Sequence, residues 1–506
     1  MLWRASLDQG EMPYKLKESK VIPIYKSGDR AEPKNYRPIS LTSHISKVFE
    51  KVVVKKIVEY LDHHNLFNDA QHGFRSGRSC LSQLLDHQLN IISLLEKKNE
   101  VDVVYLDFAK AFDKVDYGIV VKKLKRLGIS GKMLKWINSF LRGRSQRVCV
   151  DGVLSERTMV SSGVPQGSSL GPLLFLIHIH DIDDELSFVT AASFADDTRI
   201  MGGIRTDADR AIMQEDLEKI YDWAKNNNMK FNGSKFELIL YGELNIDAPL
   251  FTQPNGLDIQ QVETVRDLGV LMDKKLTFKP EISSVCLKSK RQAGWIMRVF
   301  KTRAERPMLT LFKALVRPHL EYACQLWSPL KLGQVGRLEG IQRTYTARIS
   351  GLGHLNYWER LKKLNLYSLE RRRERYQIIY VFKIISGVVP NFTNERFKLR
   401  PTLSARRGCE CLVPPINTGS TARFKTLTDN SFAIRGPRLF NILPRKLRDC
   451  GGSVDQFKAW LDCFLPKVRD QPRMPGYFQS STSNSLIDQV SQMKREGLLL
   501  FDFSYP

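Results

Sequence analysis

Apolar residues recur with a helical period through much of the first 100 residues. Two stretches, 45–61 and 80–98, place apolar residues at the i, i+3, i+4 and i+7 positions. This spacing puts the apolar side chains on one face, so it predicts an amphipathic helix in each stretch. Segments that contain Gly and Pro separate these helices and indicate turns.

Between residues 101 and 275 the pattern alternates between strands and helices. The predicted elements are a strand at 101–108 that ends in an aspartate, helices at 117–128, 131–143 and 208–228, and hairpins at 145–160 and 189–202. The first hairpin would turn at Asp151 and Gly152. This half of the chain is therefore expected to be α+β. From about residue 276 the pattern becomes helical, and the last 35 residues are polar and expected to be disordered.

The charge balance narrows the class of partner. The chain has 506 residues, with 78 Lys and Arg against 54 Asp and Glu and a net charge of +24. Residues 281–380 hold 20 Lys and Arg but only 7 Asp and Glu. Such a field attracts polyanions, and nucleic acid is the leading candidate. A basic ribosome-associated or membrane-surface protein is the alternative.

Cysteine usage and hydropathy argue against a structural zinc protein, a secreted protein and a membrane-spanning protein. The eight cysteines form no C-x-x-C pair, so the sequence gives little support for a structural zinc site. Their wide spacing indicates reduced thiols in an intracellular protein. The N-terminus lacks the apolar run of a signal peptide, and the most apolar stretch, 171–179, is too short to span a bilayer.

Three aspartates are the candidate chemistry. Asp107 leaves the end of a predicted strand, and Asp196 and Asp197 occupy the tight end of a predicted hairpin. If strand and hairpin pair, these carboxylates converge and could hold two Mg²⁺ ions, which prefer oxygen ligands. Taken singly, Asp107 could instead be a helix N-cap, and the Asp pair an ordinary turn.

Two further features could contact a nucleotide bound at the aspartates. Phe112 follows Asp107 by five residues and could lie under the sugar of a bound nucleotide, where its ring would collide with a 2′-hydroxyl. Residues 161–175 contain a Gly-rich loop around Pro165 and Gln166, whose amide could contact a base pair. An ordinary core aromatic and a loop before a buried helix are the alternatives.

The ordered set closely resembles the reverse transcriptases of non-LTR, LINE-like retrotransposons of the jockey and CR1 type. The segments that carry the resemblance are VIPIYKSGDRAEPKNYRPISLTSHISKVFEK, QHGFRSGRSC, LDFAKAFDKVD, GVPQGSSLGPLLF and FADD. The resemblance covers about residues 15–275 and continues more weakly beyond them. Related palm enzymes, such as group II intron maturases, retron enzymes and telomerase, are a further alternative.

The resemblance implies a right-hand polymerase of fingers, palm and thumb. The implied domains are fingers at 1–100, palm at 101–275, a helical thumb and basic extension at 276–400, and a C-terminal region of unknown role at 401–506. The implied reaction is RNA-directed DNA synthesis by two-metal nucleotidyl transfer, with two Mg²⁺ ions, or Mn²⁺, as cofactors.

Matching motifs imply roles for individual residues. Asp107, Asp196 and Asp197 would be the catalytic, metal-binding carboxylates. Nucleotide contacts would come from Arg37, Arg75, Phe108, Phe112, Gln166 and Lys235. Contacts to template and primer would come from Gly163, Pro165, Gly167, Leu268 and Gly269.

The implied partners are an RNA template, a DNA primer and deoxynucleoside triphosphates, with action in the nucleus after cytoplasmic synthesis and no membrane segment. The family commonly carries an endonuclease domain before the polymerase, and Met1 lies near the start of the fingers. We therefore expect target nicking by an endonuclease acting in trans. The alternative to catalysis is a non-catalytic nucleic-acid-binding remnant on the same scaffold.

Three polar clusters have ordinary interpretations. The basic runs 122–126 and 371–375 are expected to be solvated helix faces, with localisation signals or nucleic-acid contacts as alternatives. His178 and His180, with Asp183, superficially resemble a metal-ligand run. Because they are predicted to lie on a buried helix, we expect ordinary helix histidines.

Overall fold

The computed structural model describes residues 2–97, 100–242, 251–390, 399–401, 410–412, 422–449, 451–474 and 483–498. The chain forms two compact units. The first unit contains residues 1–79 and 101–262, and the second contains residues 80–100 and 263–506. Helices and strands are labelled below in chain order across both units.

The first unit mixes helices and strands. Its helices are α1 (Leu2–Gln9), α2 (His44–His63), α4 (Ala111–Lys114), α5 (Tyr117–Arg126), α6 (Gly131–Leu141), α7 (Gly171–Ile179) and α8 (Asp207–Asn226). Its strands are β1 (Glu18–Tyr25), β2 (Tyr36–Leu41), β3 (Glu100–Leu106), β4 (Arg144–Val150), β5 (Val153–Leu154), β6 (Thr158–Val160), β7 (Thr190–Phe194), β8 (Asp197–Ile204), β9 (Glu237–Tyr241) and β10 (Gln260–Gln261). The predicted strand, helices and hairpins are confirmed, and so is the α+β class.

Five strands form the central sheet of the first unit, in the order β10-β9-β3-β8-β7. Strand β3 lies in the middle, between β9 and β8, and its residues are almost all buried. Strands β7 and β8 are the antiparallel arms of one hairpin. The sheet therefore brings the end of β3, where Asp107 lies, beside the hairpin that carries Asp196.

A second sheet has the order β2-β1-β4-β5, with β6 paired to β4. Strand β1 runs antiparallel to β2 and parallel to β4. The β4–β5 hairpin turns at Asp151 and Gly152, both with positive φ, as a two-residue hairpin turn requires.

One hydrophobic core supports the first unit. Helix α7 is buried at every position except Pro172, and its Phe175 joins Trp136 and Phe140 of α6 in the core cluster. Burying a large apolar side chain stabilises a fold by roughly 1.5–3 kcal/mol, so α7 anchors the loop that precedes it.

The second unit is mostly helical. Its helices are α3 (Cys80–Glu96), α9 (Lys279–Val299), α10 (Glu305–Leu311), α11 (Arg317–Glu321), α12 (Cys324–Trp327), α13 (Leu332–Thr346), α14 (Tyr357–Lys363), α15 (Leu369–Ile385), α16 (Ala422–Asn430), α17 (Phe432–Asn441), α18 (Arg445–Arg448), α19 (Val454–Phe464) and α20 (Leu486–Arg495). Its strands are β11 (Thr264–Asp267), β12 (Val270–Asp273), β13 (Leu399–Pro401) and β14 (Glu410–Leu412). No helix in the described ranges combines the length and apolarity that a bilayer crossing requires.

The run 371–375 lies on α15, and its predicted solvated face is wrong. Arg371 and Arg373 are fully buried, at 0% and 1% exposure. Arg372 forms an ion pair with Glu321. The error has a tertiary cause, because each guanidinium donates to a group distant in the chain: Arg371 to the Arg469 carbonyl and Arg373 to the Ser328 hydroxyl.

Two other predictions concern the polar C-terminal tail and the histidines near residue 180. Within the polar tail that the sequence predicts to be disordered, the described residues include α20, whose Leu486 and Val490 are buried. The rest of that tail, 475–482 and 499–506, lies outside the described residues. His178 lies inside α7 as predicted, whereas α7 ends at Ile179 and His180 follows it.

Candidate active site

Asp107 is held just beyond the end of β3. Its main-chain carbonyl accepts a hydrogen bond from the Asn232 amide at 2.8 Å. Its carboxylate forms an ion pair with Lys235, with Nζ and Oδ2 separated by 2.8 Å. The side chain is about one quarter exposed, so it can still meet a ligand. Strand, backbone pairing and lysine together fix the direction of this carboxylate.

Asp196 lies in the two-residue turn of the β7–β8 hairpin. Phe194 pairs with Asp197 across the hairpin, which leaves Ala195 and Asp196 as the turn residues. Ala195 has a φ of +56°, an uncommon conformation for a residue with a Cβ. Asp196 is half-buried, whereas Asp197, the first residue of β8, is exposed.

Burial and neighbouring charges shift the pKa of Asp196. Burial raises the pKa of Asp196 above its ordinary value, and the negative charge of Asp107 raises the pKa further. The positive charges of Arg37 and Lys235 act in the opposite direction. Two carboxylates that repel each other and two nearby cations thus meet at one place on the first unit.

This donor set fits a divalent cation in part. Asp107 and Asp196 offer hard oxygen ligands, and a cation between them would relieve their mutual repulsion. Among the described residues, no three His, Cys, Asp or Glu side chains form a ready-made metal cluster. The structure therefore brings Asp107 and Asp196 together, and the participation of Asp197 stays a prediction.

The two phenylalanines after Asp107 have different environments. Phe108 is buried at 4% exposure and stacks on Phe231, with ring centroids 4.5 Å apart. A nucleotide could therefore approach only its backbone. Phe112 is half-buried and stacks on Phe175 at 4.4 Å, with Phe74 against it edge-on. This stack fixes the plane of the Phe112 ring.

The loop around Gln166 is tied to its neighbours by its backbone. Gln166 accepts a hydrogen bond from the Ser40 amide of β2 at 2.7 Å. A Cβ on Gly167 would lie 2.6 Å from the Ser40 carbonyl oxygen, and one on Gly163 would lie 2.7 Å from the Asp113 backbone. Both positions therefore require glycine. The Gln166 amide donates to the Asp113 carboxylate at 3.0 Å.

The two predicted finger arginines also differ. Arg37 is exposed on β2, and its charge reaches Asp196. Arg75 donates to the Asn68 carbonyl at 2.8 Å and lies over the Phe67 ring at 4.8 Å. These contacts stabilise its own loop, and a nucleotide contact by Arg75 stays a prediction.

Leu268 and Gly269 belong to the second unit, where they form the turn between β11 and β12. Both have positive φ, of +42° and +90°. The Tyr322 hydroxyl donates to the Leu268 carbonyl at 2.8 Å and supports this strained turn. Their predicted role at the primer is untested.

Sequence reasoning missed three residues that support this site. Glu50 accepts hydrogen bonds from the amides of Ser169 and Leu170 at the start of α7. Asp113 holds Gln166, as described above. Gln71 contacts the turn that carries Asp196. Glu50 and Gln71 are each more than 100 residues from their partners, so local patterns could not reveal them.

Comparison with known proteins finds a matching family and relatives that cover much of the chain. Residues 24–272 match the reverse transcriptase (RNA-dependent DNA polymerase) family. The chain is 29% identical over 348 residues to a probable RNA-directed DNA polymerase from transposon X-element of Drosophila melanogaster, covering 67% of this chain and 38% of that protein. It is 27% identical over 365 residues to the RNA-directed DNA polymerase from mobile element jockey of the same species, covering 69% and 39%.

Among solved structures, the chain is similar to telomerase from Candida albicans in complex with a fragment of telomeric RNA. That likeness has a TM-score of 0.40 and 13% identity, and covers 72% of this chain and 70% of that one. The chain spans about two fifths of the length of the curated relatives given above. Residues 24–272 are a reverse transcriptase domain of the type found in non-LTR retrotransposons.

Proposed function

We propose that this chain is an RNA-directed DNA polymerase, which extends a primer 3′-hydroxyl with deoxynucleotides on an RNA template. The observation that carries the proposal is the meeting of Asp107 and Asp196 beside Arg37 and Lys235, inside the reverse transcriptase domain. Mutually repelling carboxylates with flanking cations suit a site for metal ions and a triphosphate.

Asp107 and Asp196 would hold the metal ions. Divalent cations at such a site, Mg²⁺ or Mn²⁺, supply activation of the attacking hydroxyl and neutralisation of the leaving pyrophosphate. The Lys235 ammonium now pairs with Asp107, so it would exchange this carboxylate for a nucleotide phosphate when substrate binds. Arg37 is exposed and can bind phosphate oxygens in bidentate fashion.

The nucleotide pocket would continue along backbone connections that the structure describes. Strand β2 carries both Arg37 and Ser40, and Ser40 binds the backbone of Gln166. The Gln166 amide binds Asp113, the neighbour of Phe112. This continuity supports a pocket with phosphate contacts at one end and Phe112 at the sugar. The stacked Phe112 ring would exclude a 2′-hydroxyl.

The partners follow from the reaction. We propose an RNA template, a DNA primer and deoxynucleoside triphosphates as ligands, and an endonuclease that nicks target DNA as a functional partner. Because the target is genomic DNA, the proposed site of action is the nucleus. The basic balance of residues 281–380 supports contacts with a nucleic-acid backbone.

Primer extension tests the proposal directly. Purified protein is incubated with a DNA primer annealed to RNA, Mg²⁺, and either deoxy- or ribonucleotides, with Asp196→Asn in parallel. We expect the unmodified chain to extend the primer with deoxynucleotides and Asp196→Asn to extend none. Both proteins should bind RNA with the same affinity. Extension that persists in Asp196→Asn would refute the assigned site.

One observation favours a second candidate, a non-catalytic nucleic-acid-binding scaffold. The Asp107 carboxylate is already neutralised by Lys235, as in a structural ion pair. This alternative predicts tight, salt-sensitive RNA binding without extension under any choice of divalent cation or nucleotide.

A further inference from the structure

The turn that carries Asp196 is held by a residue from a distant part of the chain. Gln71 is 7% exposed and lies 124 residues before Ala195. Its side-chain oxygen Oε1 accepts a hydrogen bond from the Ala195 amide at 2.9 Å. Its side-chain nitrogen Nε2 donates to the Ala195 carbonyl at 3.3 Å. One amide side chain thus satisfies both polar groups of a single turn residue.

The segment around Gln71 is itself docked on the hairpin. The Ser193 amide donates to the Ala70 carbonyl, and the His72 amide donates to the Ser193 carbonyl, both at 2.9 Å. The segment therefore lies against β7 like a short parallel strand. This pairing fixes the backbone on each side of Gln71.

Gly73 completes the clamp by allowing close approach. Its amide donates to the same Gln71 Oε1 at 2.7 Å, so two amides converge on one oxygen and fix the orientation of the side chain. A Cβ on Gly73 would lie 2.4 Å from the Ala195 nitrogen. Only glycine lets this strand pass so near the turn.

The clamp acts on a strained residue. Ala195 has a φ of +56°, which a residue with a Cβ adopts only when its surroundings impose it. The next residue is Asp196, whose direction depends on the conformation of this turn. Without the Gln71 amide, the two polar groups of Ala195 would lose their partners, and the turn could relax.

We propose that Gln71 is a positioning residue that holds the Ala195 turn in its left-handed conformation and so aims the Asp196 carboxylate at Asp107. This inference rests on the proposed function for its link to polymerisation. Its structural part concerns the geometry of the carboxylate pair and can be measured without the reaction.

The test uses Gln71→Leu, which keeps the volume of the side chain and removes its polar atoms. The matched control is Gln214→Leu. The Gln214 side chain also accepts a hydrogen bond from a backbone amide, that of Thr252 at 3.0 Å, but Gln214 lies on α8. Mn²⁺ binding is measured by isothermal titration and electron paramagnetic resonance. Asp196→Asn gives the baseline for loss of the carboxylate.

We expect Gln71→Leu to weaken the Asp196-dependent Mn²⁺ binding by about 10- to 100-fold, the scale expected when buried backbone groups lose their hydrogen bonds. The control should bind Mn²⁺ as the unmodified chain does. In primer extension, kcat should fall by a similar factor while the KM for deoxynucleotides changes little, because the nucleotide contacts remain.

Rescue separates positioning from a general loss of stability. Ala195→Gly in the Gln71→Leu background should restore Mn²⁺ binding at least in part, because glycine adopts a positive φ without strain. If Gln71→Leu does not fold, Gln71→Asn replaces it, since its shorter side chain keeps the amide but cannot reach both Ala195 groups. A merely structural defect would not be relieved by a glycine at position 195.

The outcomes are distinguishable. Unchanged Mn²⁺ affinity in a folded Gln71 variant, or failure of Ala195→Gly to restore any binding, would overturn the inference. Absence of Asp196-dependent Mn²⁺ binding in the unmodified chain would also overturn it. If Mn²⁺ binding responds as expected but the unmodified chain extends no primer, the positioning role stands and the proposed function fails.

Discussion

Two clusters of carboxylates, one in each compact unit, differ in their access to solvent. In the first unit, Asp107 and Asp196 lie close enough to repel each other, and both keep partial access to solvent. In the second unit, several carboxylates are buried and accept internal hydrogen bonds. Glu339, for example, is 1% exposed, and its carboxylate accepts hydrogen bonds from the Tyr357 hydroxyl and the Leu369 amide.

This difference distinguishes a ligand-binding site from buried charges that only support packing. Repulsion between accessible carboxylates that neighbouring cations offset only in part is a cost that a ligand can relieve, and it favours a functional site. Buried charges with internal partners specify packing and need no ligand. The contrast predicts that changes at Asp196 alter activity more than stability, and that changes at Glu339 alter stability more than activity.

The largest expected effect is that of Asp196→Asn. Removing this charge should lower primer extension by about a thousandfold or more, the scale at which essential active-site groups act. Because the folded state raises the pKa of Asp196, its ionised form is disfavoured by folding, so the variant should be as stable as the unmodified chain or more stable at neutral pH. Calorimetric unfolding and extension assays on the same samples measure both quantities. A clear loss of stability would break the contrast.

The next effect concerns Glu339 and its titration. Burial raises the pKa of Glu339 to about 7. Because the folded pKa lies above the unfolded one, stability is fully present below about pH 4.5 and is lost as the pH rises towards 7. The unfolding free energy should therefore fall by roughly 3 kcal/mol over this range. Calorimetry from pH 4.5 to 8 measures the slope.

Glu339→Gln tests the source of that slope. The neutral amide can still accept from Leu369 and donate to Tyr357, so the variant should unfold with a weaker pH dependence. Its RNA binding and its relative preference for deoxynucleotides should not change. A variant with the full slope would show that other groups carry the titration.

A third, smaller effect tests whether Phe112 in the first unit excludes ribonucleotides. Phe112→Ala should reduce discrimination against ribonucleotides by about 10- to 100-fold, because a pocket excludes one hydroxyl mainly by its shape. Phe112→Tyr is the matched control, since it keeps the aromatic ring and its stack on Phe175. Single-nucleotide incorporation, compared as kcat/KM for deoxy- and ribonucleotides, gives the ratio. Equal ratios in Phe112→Ala and the unmodified chain would remove Phe112 from the proposed gate.

Sequence patterns predicted the elements better than the contacts between them. The 3.6-residue period identified α2 and α8, and the strand that precedes Asp107 was evident from its apolar run. These signals are local. The clamp of Gln71 on Ala195 joins residues 124 positions apart, so no local pattern contains it.

The same limit explains the error on α15. Arg371 and Arg373 lie in a run that local charge patterning assigns to solvent, yet both are buried. Their environment depends on partners distant in the chain, such as the Arg469 carbonyl that accepts from Arg371. Burial of a long cationic side chain is therefore set by tertiary structure, which composition does not encode.

The smallest expected effect comes from the accessible edge of the second unit. Arg375 forms a two-point ion pair with Asp462 at 2.6 Å, and the Asp462 side chain is 42% exposed. Because solvent screens this pair, Asp462→Asn should lower the unfolding free energy by less than about 1 kcal/mol, and less still in high salt. Denaturation at low and high NaCl, with Glu339→Gln in parallel, measures the difference. A loss comparable with that of a buried pair would mean that exposure does not decide the strength of charge interactions in this unit, and the contrast between accessible and buried charges would have to be abandoned here.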